Sequence, residues 1–132
     1  MDDSKRRYKS WELYSCLALN RLAGELDIVI YQGNIEEVLD RLFENPVPSI
    51  PKVEISFEIK SNHQMTNKIL KKLESDGLVI VHKDDRVYDI SITRQGIMYL
   101  RRFNAYFVHT YNDIIQDHYR YRRLPRWFEV DG

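Results

Sequence analysis

Residues 61–92, SNHQMTNKILKKLESDGLVIVHKDDRVYDISI, decide how the chain is read, because they run one helix directly into a two-stranded hairpin. Met65, Ile69, Leu70 and Leu73 recur three and four apart, the period of a helix with one buried face, and Ser61 or Asn62 supplies an N-cap oxygen. At steps of about 100°, Gln64, Asn67, Lys68, Lys71 and Ser75 fall opposite that stripe, where no core requires them. Gly77 tolerates the left-handed backbone that closes a helix, and residues 78–81 then switch to a β-branched apolar run. Residues 82–86 are polar and charged, a turn with a basic tip. From Val87 onward Tyr88, Ile90 and Ile92 alternate with Val87, Asp89 and Ser91, which is the period of a strand.

A polar-faced helix followed by such a hairpin is the heart of a winged helix-turn-helix. Two runs carry a closer likeness: Leu70-Lys-Lys-Leu73-Glu-Ser-Asp-Gly77-Leu78-Val79, and Tyr88-Asp-Ile90-Ser-Ile92-Thr93-Arg-Gln-Gly96. Over roughly residues 50–100 the chain resembles the MarR-type and PadR-type regulators, whose recognition helix ends in a similar leucine and Gly-Leu-Val pattern before the wing. The resemblance implies an α+β, mostly helical domain with a two-stranded wing, in which two recognition helices of a dimer address the half-sites of a pseudo-palindrome.

The rest of the chain is arranged around this core as a single domain over residues 1–132. An N-terminal helix is expected over residues 5–26, where Trp11, Leu13, Tyr14, Cys16, Leu17, Ala18, Leu19 and Leu22 leave no clean solvent face. Such a helix is buried on more than one side, either beneath the winged-helix core or against a second subunit. Residues 26–31 read as a strand or as a continuation of that helix. Asn34 opens a clear amphipathic helix, with Ile35, Val38, Leu39, Leu42 and Phe43 on one face and Glu37 three residues after the cap. The core spans residues 34–93. Pro46, Pro48 and Pro51 make residues 45–51 a connector. Val53, Ile55, Phe57 and Ile59 alternate like a strand, whereas the resemblance puts a short helix there.

Thr93 caps one long helix over residues 94–119, and Gly96 lets it approach the sheet. Ile97, Asn104, Tyr111 and His118 lie seven apart, as do Leu100, Phe107 and Ile114. That is coiled-coil spacing, in which a buried Asn tends to fix register. A dimer interface on Leu100, Phe107, Tyr111 and Ile114 follows, because four large apolar side chains need a partner surface. The tail, residues 120–132, folds back on the body or on the partner.

At 132 residues with 43% hydrophobic and 30% charged residues, the chain is expected to bury an ordinary core. Cys16 is alone and forms no internal disulfide, and no apolar run approaches a bilayer span of roughly 18 residues or more; a cytoplasmic location without membrane insertion is the expectation. Net charge is formally zero, but Lys5, Arg6, Arg7 and Lys9 are basic, residues 25–58 are acidic, and Arg94, Arg101, Arg102, Arg120, Arg122, Arg123 and Arg126 make the last third basic.

Gln64 and Asn67 are side chains that bond adenine bidentately, and Lys68 and Lys71 reach phosphates, so this face suits the major groove of duplex DNA. Lys83 and Arg86 at the wing tip suit phosphate or the minor groove, with Asp84 and Asp85 between them opposing. His109, Asp113 and Asp117 have metal-ligand spacing but fall on a solvated face, and no metal or cofactor is expected. No nucleophile pairs with a base at recognisable spacing, and no glycine-rich phosphate loop exists, so no catalytic residue is assigned. The nine tyrosines leave room for a small-molecule effector, although most read as core and interface. Two functions remain: a dimeric, sequence-specific DNA-binding transcriptional regulator, or a winged helix used as a protein-interaction or assembly module. The amide and lysine helix face favours the first; net neutrality and the acidic stretch favour the second.

Overall fold

The computed structural model describes residues 10–128. In chain order they form α1 (Trp11–Ala23), α2 (Ile35–Leu42), β1 (Ile50–Pro51), α3 (Lys52–Ile59), α4 (His63–Ser75), β2 (Val79–Lys83), β3 (Tyr88–Ile92), α5 (Arg94–Thr110), α6 (Asn112–His118) and a 3-10 turn at Arg126–Phe128. The fold is α+β, with helices packed around one small antiparallel sheet of order β1-β3-β2. Local chemistry sets several boundaries. Ser10 caps α1 by accepting from Leu13 N–H at 3.2 Å, Asn62 caps α4 through Met65 N–H at 2.8 Å, and Thr93 caps α5 through Gly96 N–H at 3.0 Å.

Helix α4 ends as its sequence demands. Gly77 takes φ +79°, its N–H bonds Glu74 O at 3.0 Å and Leu78 N–H bonds Leu73 O at 2.9 Å, a Schellman closure with Leu73 and Leu78 both buried. The hairpin that follows pairs Val79 with Ile92 and Lys83 with Tyr88, two strand residues further than the apolar run alone implies. Its turn is built on Asp84, whose Oδ1 accepts from Arg86 N–H at 2.8 Å and Val87 N–H at 2.9 Å. The sheet gains a third strand where only a connector was expected: Ile50 pairs with Ile90 and Pro51 with Asp89. Gly96 sits where a Cβ would lie 2.3 Å from Leu78 O and 2.6 Å from Ile92 Cγ1, so α5 meets the sheet with no room for a side chain.

Helix α1 is the centre of the core. Leu13, Cys16, Leu17, Ala18 and Leu19 are fully buried, because α3, α4, α5 and β3 all pack on it. It is shorter than the expected residues 5–26, ending at a Gly24 cap; residues 5–9 lie outside the described part. Residues 26–31 are neither strand nor helix. They form irregular turns whose Ile30 and Gln32 carbonyls accept from Arg101 Nη1 at 2.7 and 2.8 Å, so a guanidinium replaces a sheet partner.

Residues 52–59 are helical, as the resemblance implied and the strand-like alternation did not. Ile55 and Ile59 are fully buried while Val53 and Phe57 are 71% and 72% exposed. Four apolar residues spaced by two also form two i, i+4 pairs, which on a helix occupy different faces. Asn34 precedes α2 without a side-chain cap bond, its Oδ1 accepting instead from Gln32 Nε2 at 2.7 Å.

The expected helix over residues 94–119 is two helices. The backbone at Tyr111, φ −110° and ψ 25°, ends α5 and starts α6. Its heptad seam faces the chain's own core: Ile97, Leu100, Asn104 and Phe107 are buried, largely against α1. Leu100 and Phe107 therefore offer no surface to a second subunit, while Tyr111 and Ile114 are half-buried against the same core. The α1 helix, apolar nearly all round, supplies the partner surface that a dimer was expected to provide. Asn104 fixes register within the chain, accepting from Asn20 Nδ2 at 2.9 Å and from Cys16 Sγ at 3.5 Å. The end of α6 docks on α3: Lys60 Nζ donates to His118 O at 2.5 Å and Tyr119 O–H to the Glu58 carboxylate. Among the described residues no helix is long and apolar enough to cross a membrane.

Candidate nucleic-acid interface

Helix α4 buries Thr66, Ile69, Leu70 and Leu73 and turns Gln64, Lys68 and Lys71 outward as one exposed row. This is the row that the 3.6-residue period predicts. The hairpin tip carries Lys83 and Arg86, both exposed. Asn67 differs from expectation: it is half-buried, its Oδ1 accepts from Tyr88 O–H at 3.2 Å, and its Nδ2 lies 3.4 Å from His63 Nε2. The amide thus ties α4 to the hairpin instead of standing clear of it. Asp84, whose charge opposed the tip lysine and arginine, has its carboxylate committed to the turn.

The sequence reading missed three residues here. Lys52, at the start of α3, is 7% exposed, and its Nζ donates to His63 Nδ1 at 2.5 Å. The same Nζ lies 4.9 Å from the Tyr88 ring centroid, and Lys83 Nζ lies 5.0 Å from it. Burial first, and then the Lys83 charge, push the Lys52 ammonium below its ordinary pKa. His63 had a local signal, standing four residues before Asn67 on the same helix face; Lys52 and Tyr88 are brought together only by the fold.

Away from this face several arginines are paired. Arg94 holds Glu36 at 2.5 Å and Asp40 at 2.7 Å, Arg21 holds Glu25 at 2.7 Å and Glu54 at 2.9 Å, and Arg122 lies 3.3 Å from Glu58. Five acids of the acidic stretch, Glu25, Glu36, Asp40, Glu54 and Glu58, are thus engaged by three arginines of the same chain. Lys52, Lys68, Lys71, Lys83 and Arg86 make no ion pair with any described residue.

Two other features bear on function. A cleft of about 670 Å³ opens between the end of α1, the 24–32 segment and the C-terminal turn, with Asn20 and Asn104 in its lining beside Ile28, Ile30, Tyr31 and Trp127. The Cys16 thiol lies in the core, and burial pushes its pKa up to about 12, which keeps it from acting as a thiolate nucleophile near neutral pH. His109, Asp113 and Asp117 are exposed, and among the described residues no group of three metal-binding side chains converges. Comparison with protein-family models and with curated proteins finds no match for this chain.

Proposed function

We propose that the chain is a winged helix-turn-helix DNA-binding protein that lays α4 in the major groove and acts as a dimeric transcriptional regulator. The element order supports the reading. Helix α2, the short strand β1, helices α3 and α4 joined by residues 60–62, and the β2–β3 hairpin run in the sequence that such a domain uses. The observation that carries it is the exposed row Gln64, Lys68 and Lys71 beside Lys83 and Arg86, whose cations have no carboxylate partner among the described residues in a chain of zero net charge. Duplex DNA is a polyanion that rewards such unpaired cations, and Gln64 is a base-reading amide at the N-terminal end of the helix.

The interaction-module reading rested on net neutrality and on the acidic stretch. Glu25, Glu36, Asp40, Glu54 and Glu58 are all engaged by arginines of the same chain, which weakens that ground. For the dimer, the large apolar side chains left exposed on α1 and α5 are Trp11, Phe103 and Tyr106, and we assign the contact to them in place of Leu100 and Phe107. An effector, if the regulator takes one, fits the cleft at Asn20 and Asn104 by size.

Titration of a random duplex with the full chain, at low and at moderate salt, tests the reading. A complex at low salt that weakens steeply with added salt is expected; no complex at low salt would sink it. Gln64→Ala then reduces discrimination at one base pair by about 1–3 kcal/mol, whereas Lys71→Met weakens all sequences alike.

A further inference from the structure

Resting on the DNA reading, we propose that Lys52, His63 and Lys83 form a clamp around Tyr88 that holds one backbone phosphate at the N-terminal end of α4. A lysine that is 7% exposed would ordinarily carry a carboxylate partner. Among the described residues Lys52 has none: its hydrogen bond goes to the His63 imidazole ring, and its charged neighbour is a second ammonium, Lys83, over the same aromatic ring. Of the hairpin's acids, Asp84 is held in its turn, Asp89 accepts from Ser49 O–H at 3.3 Å, and the exposed Asp85, two residues from Lys83, makes no ion pair with either lysine. Two cations that share one ring at 4.9 and 5.0 Å from its centroid, with no anion paired to either among the described residues, form a site whose missing component is negative charge.

The position suits a phosphodiester. His63 is the first residue of α4, and the N–H groups of His63 and Gln64 have no intrachain partner among the described residues, as at any helix start. Those donors, the helix dipole and two ammonium groups address one anion together. The Tyr88 O–H bond to Asn67 fixes the ring, and with it the lysines, relative to the row that reads bases. The clamp thus sets the register of Gln64 along the groove, a positioning contact that carries no sequence information of its own.

The test is the salt dependence of duplex binding by the full chain and by Lys83→Met and Lys52→Met. Each variant is expected to bind every sequence about tenfold more weakly, and to flatten the slope of log K against log salt by about 0.9, the loss of one phosphate. Lys83 is exposed, so its variant reports even if the change at buried Lys52 disturbs folding. A second measurement needs no DNA: inorganic phosphate is titrated against chloride at matched ionic strength while the His63 imidazole resonances are followed. A saturable, phosphate-specific shift, absent in Lys83→Met, is expected. Unchanged slopes in both variants, or a His63 signal that follows chloride as it follows phosphate, would overturn the clamp. A phosphate-specific shift in a chain that binds no duplex would uphold the anion site and sink the DNA reading.

Discussion

Asn67 is where the two possible roles of α4 come apart, and a double-mutant cycle with Tyr88 separates them. The Tyr88 O–H bond to Asn67 Oδ1 is 3.2 Å long between two half-buried side chains. A neutral hydrogen bond of this kind contributes about 0.5–1.5 kcal/mol net, and partial solvent access puts this one toward the lower end. Asn67→Ala and Tyr88→Phe each remove it, so each is expected to lose roughly 1 kcal/mol of stability and the double variant much less than the sum. The coupling, about 0.5–1 kcal/mol, is read from urea unfolding of the four proteins. Because the bond joins helix to hairpin, both single variants also loosen the wing and weaken duplex binding without changing which sequence is preferred. Zero coupling together with a loss of preference at one base in Asn67→Ala would refute this, and would return Asn67 to the base-reading row.

Other expectations follow from burial. Gly96→Ala places a methyl 2.3 Å from Leu78 O and is expected to cost about 1–3 kcal/mol or more in urea unfolding, since backbone cannot yield as a side chain would. Leu100→Ala, fully buried, should lose about 2–5 kcal/mol, while Phe103→Asp and Tyr106→Asp keep the fold and sediment as monomers; dimers in the latter two would reject the assigned contact. Alkali should destabilise the chain through Cys16. Its pKa is raised from 9.0 to about 12 in the fold, so its contribution is full below pH 9.0 and is lost as pH rises through about 12. Cys16→Ala is expected to flatten the stability profile across that window, with the tyrosines whose pKa is also raised, Tyr119 together with Tyr14, Tyr31, Tyr99 and Tyr111, responsible for what remains.

What could be read in the chain beforehand was what neighbours in sequence determine. The Asn62 cap, the Gly77 closure, the hairpin and the Thr93–Gly96 junction all rest on contacts within a few residues or on one steric requirement. The row Gln64, Lys68 and Lys71 follows from helical period alone. Residues 53–59 were ambiguous because an alternation of four is compatible with both periods, and only tertiary packing of Ile55 and Ile59 decides. The break at Tyr111 has no Pro or Gly to announce it. The heptads of α5 were real as a buried face, but a buried face does not name its partner, and α1 had been left without one. The grouping of Lys52, His63, Lys83 and Tyr88 joins α3, α4 and both hairpin strands, so no spacing rule reaches it.

The pairing of charges also limits how strongly this chain can hold DNA. Net charge is a poor guide when Arg94, Arg21 and Arg122 are neutralised by Glu36, Asp40, Glu25, Glu54 and Glu58 within the fold, because those arginines offer a phosphate nothing without breaking an existing pair. The cations that remain on the α4 and hairpin face are Lys68, Lys71, Lys83 and Arg86, with Lys52 sharing the phosphate assigned to Lys83. At about 0.9 per neutralised phosphate, one phosphate for each of these four gives a slope of log K against log salt of about −3.6 for each chain bound. A measured slope near that value, halved by changing Lys68 and Lys71 together, is the expected result. A much steeper slope would mean that cations away from this face, such as the exposed Arg102 and Arg123, touch the backbone, and that the duplex lies across the molecule differently from the way α4 directs it.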